Sequence, residues 1–234
     1  MSMPESPESR LHAVQSRVAR AAGAAARHVD QIQLLAVGKT FDAVALRELA
    51  GCGLRAFGEN YVQEALDKQS QLADLDLVWH FIGPVQSNKT RPIAEHFSWV
   101  HSVDRLKIAE RLSAQRPGHL PPLQVCLEVN VSGEASKSGI AEADLPELAA
   151  AVAQLPHLTL RGLMAIPEPL ADKDSQRAAF RRVRLAYDNL IARGYALDTL
   201  SMGMSGDLEA AILEGATIVR VGTALFGERN KKHA

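Results

Sequence analysis

The chain has 234 residues, with 26 Lys and Arg against 27 Asp and Glu and a formal net charge of −1. This balance argues against a nucleic-acid-binding protein, because binding to phosphates needs clustered cationic side chains that displace counterions. Hydrophobic residues make up 47% of the chain. No apolar run approaches the ~20 residues that span a bilayer, so we expect a soluble globular protein without a membrane segment.

The N-terminal residues and the cysteines limit the cellular setting. The opening MSMPESPESR lacks a basic region followed by an apolar stretch, which predicts a cytoplasmic protein without a secretory signal. Cys52 and Cys126 lie far apart and form no CxxC, which argues against a disulfide framework or a cysteine-built zinc site. The histidines show no HxxxH or HExxH spacing, so we expect no catalytic metal.

The first predicted element is a helix over about 7–28. Ser6 supplies a capping hydroxyl, Pro7 suits the first helical position, and Glu8 is an acid in the first turn. Apolar residues then recur at helical spacing, at Leu11, Val14, Val18, Ala21, Ala22 and Ala25.

After this helix, short aliphatic runs alternate with longer helical patterns, which is typical of a parallel sheet wrapped by helices. Eight strands are predicted near Gln33–Gly38, Leu54–Gly58, Val78–Ile82, Trp99–Ser102, Leu123–Asn130, Leu158–Met164, Thr199–Met202 and Ile218–Gly222. Helices are predicted between them near 41–50, 60–72, 88–96, 104–113, 142–154, 174–193 and 206–214. An eighth helix would come from the short tail, unless the N-terminal helix takes its place.

This pattern predicts an α/β fold, a single (β/α)₈ TIM-type barrel domain over 1–234 whose barrel spans about 31–229. An open doubly wound sheet uses the same local alternation and remains the alternative. In a barrel, the polar residues at the carboxyl ends of the strands carry the chemistry.

Lys39 is the polar residue at the end of the first strand. Period-two alternation places it on the same inward face as Leu35 and Val37. It could leave the strand and point to water, or it could be a desolvated amine suited to forming a Schiff base.

The ends of the last two strands predict a phosphate site. In LSMGMSGD, the hydroxyls of Ser201 and Ser205 approach the start of a helix near Gly206, and in VGTALFG, Gly222 and Thr223 follow the eighth strand. Loops after strands seven and eight are the usual phosphate site of this barrel. The alternative is that both are ordinary tight turns.

Arg220 shares a strand face with Gly222 and points into the predicted barrel. It could pair with Glu128 or Glu59, or it could face the ring nitrogen of a bound heterocycle. A lysine, two phosphate loops and an inward arginine together describe the aldehyde, phosphate and ring nitrogen contacts of pyridoxal 5′-phosphate (PLP).

His80 is predicted to be a hydrogen-bonded core histidine. Lys137 lies on a polar segment that we interpret as a solvated loop rather than a lid.

Long motifs carry a family resemblance across about 10–229. The chain closely resembles the YggS/PROSC family of pyridoxal phosphate homeostasis proteins in AVGKT, FGENYVQE, WHFIGPVQSNK, VNVSGEASKSG, RGLMAIP, LSMGMSGD and VRVGTALFGER. The resemblance implies a fold similar to the N-terminal barrel of alanine racemase, a monomer, and PLP held as a Schiff base on Lys39.

The resemblance also implies the roles of the other site residues. The phosphate would be held by Ser201, Ser205, Gly222 and Thr223, with Met202 shaping the pocket. Arg220 would meet the pyridine nitrogen, and Asn60 would lie near the other edge of the ring.

The expected chemistry favours a carrier over an enzyme. Arginine cannot accept the pyridine proton, so the ring would be a poor electron sink. Racemisation also needs a second acid or base, and we expect Tyr187 and Tyr195 to pack and Tyr61 to begin a helix, while little chain follows Arg220 to supply a second domain. We therefore expect storage, buffering and delivery of PLP to PLP-dependent apoenzymes, with no nucleic-acid or membrane partner. The alternatives are a PLP-dependent amino-acid racemase and a Schiff-base aldolase.

Overall fold

A computed structural model describes residues 5–131 and 138–227. Eight parallel strands close into a barrel in which each strand pairs with its neighbours in chain order and the last pairs with the first. The strands are β1 Gln33–Val37, β2 Ala56–Glu59, β3 Val78–Phe81, β4 Trp99–Val103, β5 Leu123–Glu128, β6 Leu158–Met164, β7 Thr199–Ser201 and β8 Ile218–Val221. The predicted barrel is confirmed, and the open doubly wound alternative is wrong.

Helices surround the barrel. They are α1 Pro7–Ala24, α2 Ala43–Gly51, α3 Val62–Gln71, α4 Thr90–His96, α5 Leu106–Gln115, α6 Leu145–Ala153, α7 Lys173–Ala192, α8 Leu208–Leu213 and α9 Thr223–Phe226, with 3₁₀ turns at Val29–Gln31 and Ser87–Lys89. Within the described residues, no helix combines the length and apolar character needed to cross a bilayer.

Several element boundaries differ from the sequence prediction. The predicted fifth strand ended at Asn130, but β5 ends at Glu128, since the Asn130 N–H bonds instead to the Ile140 carbonyl at 2.9 Å. The helix predicted from Gly206 begins at Leu208, because the preceding residues form a turn closed by Asp207, which donates its N–H to the Met204 carbonyl at 3.2 Å.

The N-terminal helix takes the place of a full eighth outer helix. The helix that follows β8 has only four residues, and α1 packs against α8, α9 and α2. It begins as predicted, with Ser6 accepting a hydrogen bond from the Ser9 N–H, and its buried face carries five of the six predicted apolar residues. The predicted end near residue 28 is wrong, because the helix ends at Ala24 and the sixth residue, Ala25, is its C-cap. The Arg17 guanidinium binds both carboxylate oxygens of Glu209 in α8, at 2.7 and 2.8 Å.

The barrel interior follows the predicted alternation along β1. Leu35 and Val37 belong to a separate buried cluster with Ala56, Ile82 and Ile218 inside the barrel, whereas Ala36 packs in the outer core between sheet and helices. The side chains of Leu35 and Val37 therefore face the barrel interior, and Lys39 follows them in the turn after β1.

The packing of α1 gives a stability prediction. Leu11 is 4% exposed in the α1 interface, so Leu11→Ala is expected to lower the free energy of unfolding by about 2–5 kcal/mol through lost burial and a residual cavity. Denaturant unfolding measures this change. The matched control is Leu185→Ala, which removes the same side chain at a site that is 63% exposed and is expected to change stability by no more than about 0.5 kcal/mol. Equal effects of the two variants would contradict the packing role of α1.

Candidate functional site

A cavity of about 260 Å³ lies at the carboxyl ends of β1 and β8, where the loops after β1, β7 and β8 meet. This volume is close to the lower end of the ~300–1,000 Å³ typical of small-molecule sites. Its lining consists of Val37, Lys39, Phe41, Asn60, Ile82, Ile166, Met204, Ser205, Gly206, Arg220, Gly222 and Thr223. Six of the eight residues singled out from the sequence are therefore brought together in one cavity.

Lys39 enters this cavity from the turn that follows β1. The residue is half-buried. It therefore lies between the two interpretations from the sequence, which were a desolvated amine and a side chain that points to water. Two residues further on, the Phe41 ring stacks on Phe226 of α9 with ring centroids 4.6 Å apart. The stack joins the loop after β1 to the short helix after β8.

The loop after β7 turns tightly into α8. Gly203 adopts a φ of +92°, and a Cβ there would lie 2.5 Å from the Cβ of Ala211, so the turn requires glycine. The Asp207 carboxylate then accepts a hydrogen bond from the Met204 N–H at 2.5 Å. In the described part of the chain, the N–H groups of Ser205 and Gly206 have no acceptor.

The loop after β8 presents a second set of donors. Gly222 precedes α9, and the first N–H groups of a helix have no acceptor within it. Thr223 adds an exposed hydroxyl. Together with Ser205 and Gly206, this arrangement can bind a phosphate through backbone N–H groups and two hydroxyls.

Arg220 lies at the inner end of the cavity and is 4% exposed. It donates to the carbonyl and hydroxyl oxygens of Ser201 at 2.6 and 2.7 Å and to the Ala165 carbonyl at 2.9 Å. Burial lowers the pKa of Arg220 to about 10, so the guanidinium stays cationic at neutral pH. Its Nε–H and one Nη2–H have no acceptor among the described residues.

The two ion-pair partners weighed for Arg220 have other roles. Glu59 binds Lys68 at 2.8 Å. Glu128 is 7% exposed at the end of β5, where burial and then the charge of Asp104 raise its pKa to about 7 and the more distant Arg220 charge lowers it. Arg220 is therefore held mainly by neutral oxygens, which leaves its charge available to the cavity.

Ser201 and Met202, which the resemblance implied would hold the phosphate and shape the pocket, do not line the cavity. Both are fully buried. The Ser201 side chain points into the barrel beneath Arg220, and Met202 packs in the outer core. The physical reason is that Ser201 is the last residue of β7 and faces the barrel interior, whereas Ser205 lies beyond the strand, in the turn that leads to α8.

Two buried histidines continue the hydrogen bonds from Ser201 across the barrel. His101 Nδ1 lies 2.7 Å from Ser201 Oγ, and His101 Nε2 lies 2.9 Å from His80 Nδ1. Burial lowers the pKa of His80 to about 3 and that of His101 well below its usual value, with the His80 and Arg220 charges adding to the second effect. The predicted role of His80 as a hydrogen-bonded core histidine is confirmed.

The direction of these hydrogen bonds follows from the arginine. Arg220 only donates, so Ser201 Oγ accepts from it, and the Ser201 hydroxyl proton finds an acceptor only if it points to His101 Nδ1. His101 then donates from Nε2 to His80 Nδ1. His80 Nε2 has no partner in the described part of the chain.

The tyrosine interpretations agree with the structure. Tyr187 and Tyr195 pack against the core, and Tyr61 is 59% exposed at the start of α3. Lys137 lies outside the described residues. Within residues 5–131 and 138–227, no three His, Cys, Asp or Glu side chains are grouped to hold a metal ion.

Several residues of the cavity lining were not singled out from the sequence. Phe41, Ile82 and Ile166 each lie at or beyond the end of a predicted strand. Met204 and Gly206 lie inside the LSMGMSGD motif, in which the predicted site residues were Ser201, Met202 and Ser205. Position relative to a strand end is the signal that could have found all five.

Comparison with known proteins places the fold and the site in a class. The family model for the alanine racemase N-terminal domain matches residues 10–230. Alanine racemase from Clostridium difficile superposes with a TM-score of 0.72 over 95% of this chain and 58% of its own, at 14% identity. At that identity the likeness concerns the fold alone.

Relatives with higher sequence identity show the family to which the chain belongs. A pyridoxal phosphate homeostasis protein from Pseudomonas aeruginosa is 68% identical over 217 residues, covering 93% of each chain, and one from Escherichia coli K12 is 52% identical over 94% of this chain and 95% of its own. The PLP-bound structure of PipY from Synechococcus elongatus superposes with a TM-score of 0.79 at 40% identity, over 90% of this chain and 100% of that one. The chain belongs to the YggS/PROSC family of pyridoxal phosphate homeostasis proteins, whose name describes a homeostatic role and not a catalysed reaction.

The histidine pair gives a spectroscopic prediction. Long-range ¹H–¹⁵N NMR is expected to show His80 and His101 as neutral rings, each protonated at Nε2, from about pH 5 to about pH 8. Because both pKa values are depressed, the unfolded rings take up protons first, and the stability they contribute is lost as pH falls below the unfolded value of about 6.5. An imidazolium signal from either ring within this range would contradict a hydrogen-bond chain that runs from Arg220 through neutral rings.

Proposed function

We propose that this protein binds PLP covalently through Lys39 and maintains the intracellular supply of the cofactor by storing, buffering and delivering it. The observation that carries the proposal is the meeting of an amine, a buried guanidinium and two phosphate-binding loops in one cavity. Bound PLP would supply an aldehyde that condenses with a primary amine and a ring that withdraws electrons.

The residues present fit the parts of PLP. Ser205 and Gly206 on one side, and Gly222 and Thr223 on the other, offer hydroxyls and backbone N–H groups to the phosphate. The N–H groups of Arg220 that lack acceptors in the described chain suit the ring nitrogen, which is an acceptor when unprotonated. Asn60 supports the fit further, because its Oδ1 is buried in the lining without a hydrogen-bond partner among the described residues.

Arg220 also supports a carrier with little turnover. A guanidinium with a pKa of about 10 remains protonated at neutral pH, so it donates to the ring nitrogen and cannot accept a proton from it. An unprotonated ring withdraws electrons weakly. Tyr61, the tyrosine nearest the mouth of the barrel, is largely exposed, which suits contact with solvent better than a fixed position as a general acid.

The PLP-bound PipY structure and the names of the relatives support PLP as the ligand. We further propose that the protein acts in the cytoplasm as a monomer and that PLP-dependent apoenzymes receive the cofactor. Ser201 and Met202 contribute to the site indirectly, Ser201 by fixing Arg220 and Met202 by packing beneath the turn that contains Ser205.

Lys39 is expected to be the point of attachment. After incubation with PLP, borohydride reduction should add one pyridoxyl group to the wild-type chain, and peptide mass spectrometry should locate it at Lys39. Lys39→Ala should abolish this adduct, because no other amine lines the cavity in the described part of the chain. The matched control Lys107→Ala removes a lysine from α5, away from the cavity, and should leave labelling unchanged. A specific adduct elsewhere, or none, would exclude the proposed attachment.

The carrier role is expected to appear as transfer. The PLP-loaded protein, mixed with a PLP-dependent apoenzyme, should activate it, while Lys39→Ala treated in the same way and freed of unbound PLP should not. The activation rate is compared with that given by an equal concentration of free PLP.

Incubation of the loaded protein with amino acids in D₂O tests the enzyme alternative, and exchange at Cα would favour a racemase over a carrier.

A further inference from the structure

A buried lysine lies directly beneath the turn that contains Lys39. Lys68, in α3, is 3% exposed, and its ammonium donates three hydrogen bonds. The acceptors are the Gly38 carbonyl at 2.7 Å, Glu59 Oε1 at 2.8 Å and Glu64 Oε1 at 2.6 Å. All three ammonium protons are thus used, which is what a buried lysine requires.

The same cluster holds the other side of Lys39. Glu64 Oε1 also accepts a hydrogen bond from the Thr40 N–H at 2.6 Å. Lys68 therefore binds the residue before Lys39, and Glu64 binds the residue after it. One ion cluster fixes the backbone on both sides of the amine-bearing residue.

The backbone at this point needs such support. Thr40 has a φ of +69°, in the left-handed region that is costly for a β-branched residue. Gly38 has no room for a side chain, because a Cβ there would lie 2.6 Å from Glu59 Oε1. The turn has one hydrogen bond of its own, from the Phe41 N–H to the Gly38 carbonyl at 3.0 Å, and the contacts of Lys68 and Glu64 hold it from outside.

Packing alone does not explain the cluster. Burying a pair of charges is often no better for stability than an apolar replacement of similar volume. Glu59 is fully buried, its Oε2 has no partner in the described chain, and burial raises its pKa to about 7 despite the attraction of Lys68. Arg47 of α2 holds the end of α3 separately, because it donates to the Gln71 carbonyl at 2.9 Å and to both oxygens of the exposed Asp74 beyond the helix at 2.6 and 2.7 Å.

We propose that Lys68 and Glu64 are positioning residues that fix the turn at Gly38–Thr40 and so align the Lys39 amine with the phosphate-binding loops. The proposal rests on the proposed function, because the alignment serves reaction of Lys39 with an aldehyde held by its phosphate. Lys39 carries a long flexible side chain, and fixing its backbone reduces the number of arrangements in which the amine misses the aldehyde carbon.

Glu64 offers the sharpest test, because its side chain is 29% exposed and its removal leaves Lys68 two partners, the Gly38 carbonyl and Glu59. Glu64→Ala deletes the acceptor for Thr40 and one partner of Lys68. Glu64→Gln keeps a carbonyl oxygen at the same reach and serves as the conservative rescue. Arg47→Ala is the matched control, because it removes an exposed ion pair next to the end of α3 without touching the turn.

The rate of Schiff-base formation with PLP is measured by borohydride trapping, alongside acylation of Lys39 by acetic anhydride, a small reagent that needs no phosphate loop. Glu64→Ala is expected to slow Schiff-base formation by about tenfold or more, since a misplacement near 1 Å can cost about a hundredfold. Acylation of Lys39 should stay unchanged in all variants. Glu64→Gln should recover most of the rate, and Arg47→Ala should match the wild type.

The outcomes separate the two proposals. If the wild type forms no Schiff base at Lys39, the proposed function fails. If the wild type reacts but Glu64→Ala reacts equally fast, or if Glu64→Gln is as slow as Glu64→Ala, the positioning role is overturned. A parallel loss of acylation in Glu64→Ala would also overturn it, because the variant would then have changed the exposure of the amine and not its alignment.

Discussion

The arrangement of the site depends on one buried guanidinium. Arg220 in β8 binds Ser201 in β7 and the Ala165 carbonyl just beyond β6, so it ties the last three strands together inside the barrel. A buried charge is tolerated only when it is well hydrogen-bonded, and here carbonyl and hydroxyl oxygens meet that need without neutralising it. The cavity therefore has a fixed cation at its inner end.

Burial lowers the pKa of the two neighbouring histidines, and the charge of Arg220 lowers that of His101 further. The two histidines beyond Ser201 are kept neutral, which removes positive charges that would oppose Arg220. Among the described residues, no carboxylate binds the guanidinium directly. A cation held by neutral partners attracts acceptors from the cavity, and this constraint links the core of the barrel to the ligand chemistry at its mouth.

Much of the fold and of the candidate site could be predicted from the sequence. Two simple periodicities determine which elements form and which side chains face the barrel interior. Alternation of strand and helix predicted the barrel, and period-two alternation predicted that Arg220 faces the barrel interior and that Lys39 follows the inward row of Leu35 and Val37. Ser201 was grouped with Ser205 by motif, but Ser201 ends β7 with its side chain on Arg220, and Ser205 lies in the turn that follows the strand. The Lys68 cluster could not be predicted, because Glu64 and Lys68 have the i, i+4 spacing of an ordinary surface pair and only the docking of α3 beneath the loop after β1 buries Lys68.

The helix α1 has a consequence for how the molecule assembles. Arg17 reaches across 188 positions of sequence to the Ser205 carbonyl at 2.9 Å, and it binds Glu209 beside it. Contacts between residues so distant in sequence form slowly in folding. Because Arg17 also binds the turn that contains Ser205, the docking of α1 against α8 restrains one wall of the cavity from the outside of the barrel.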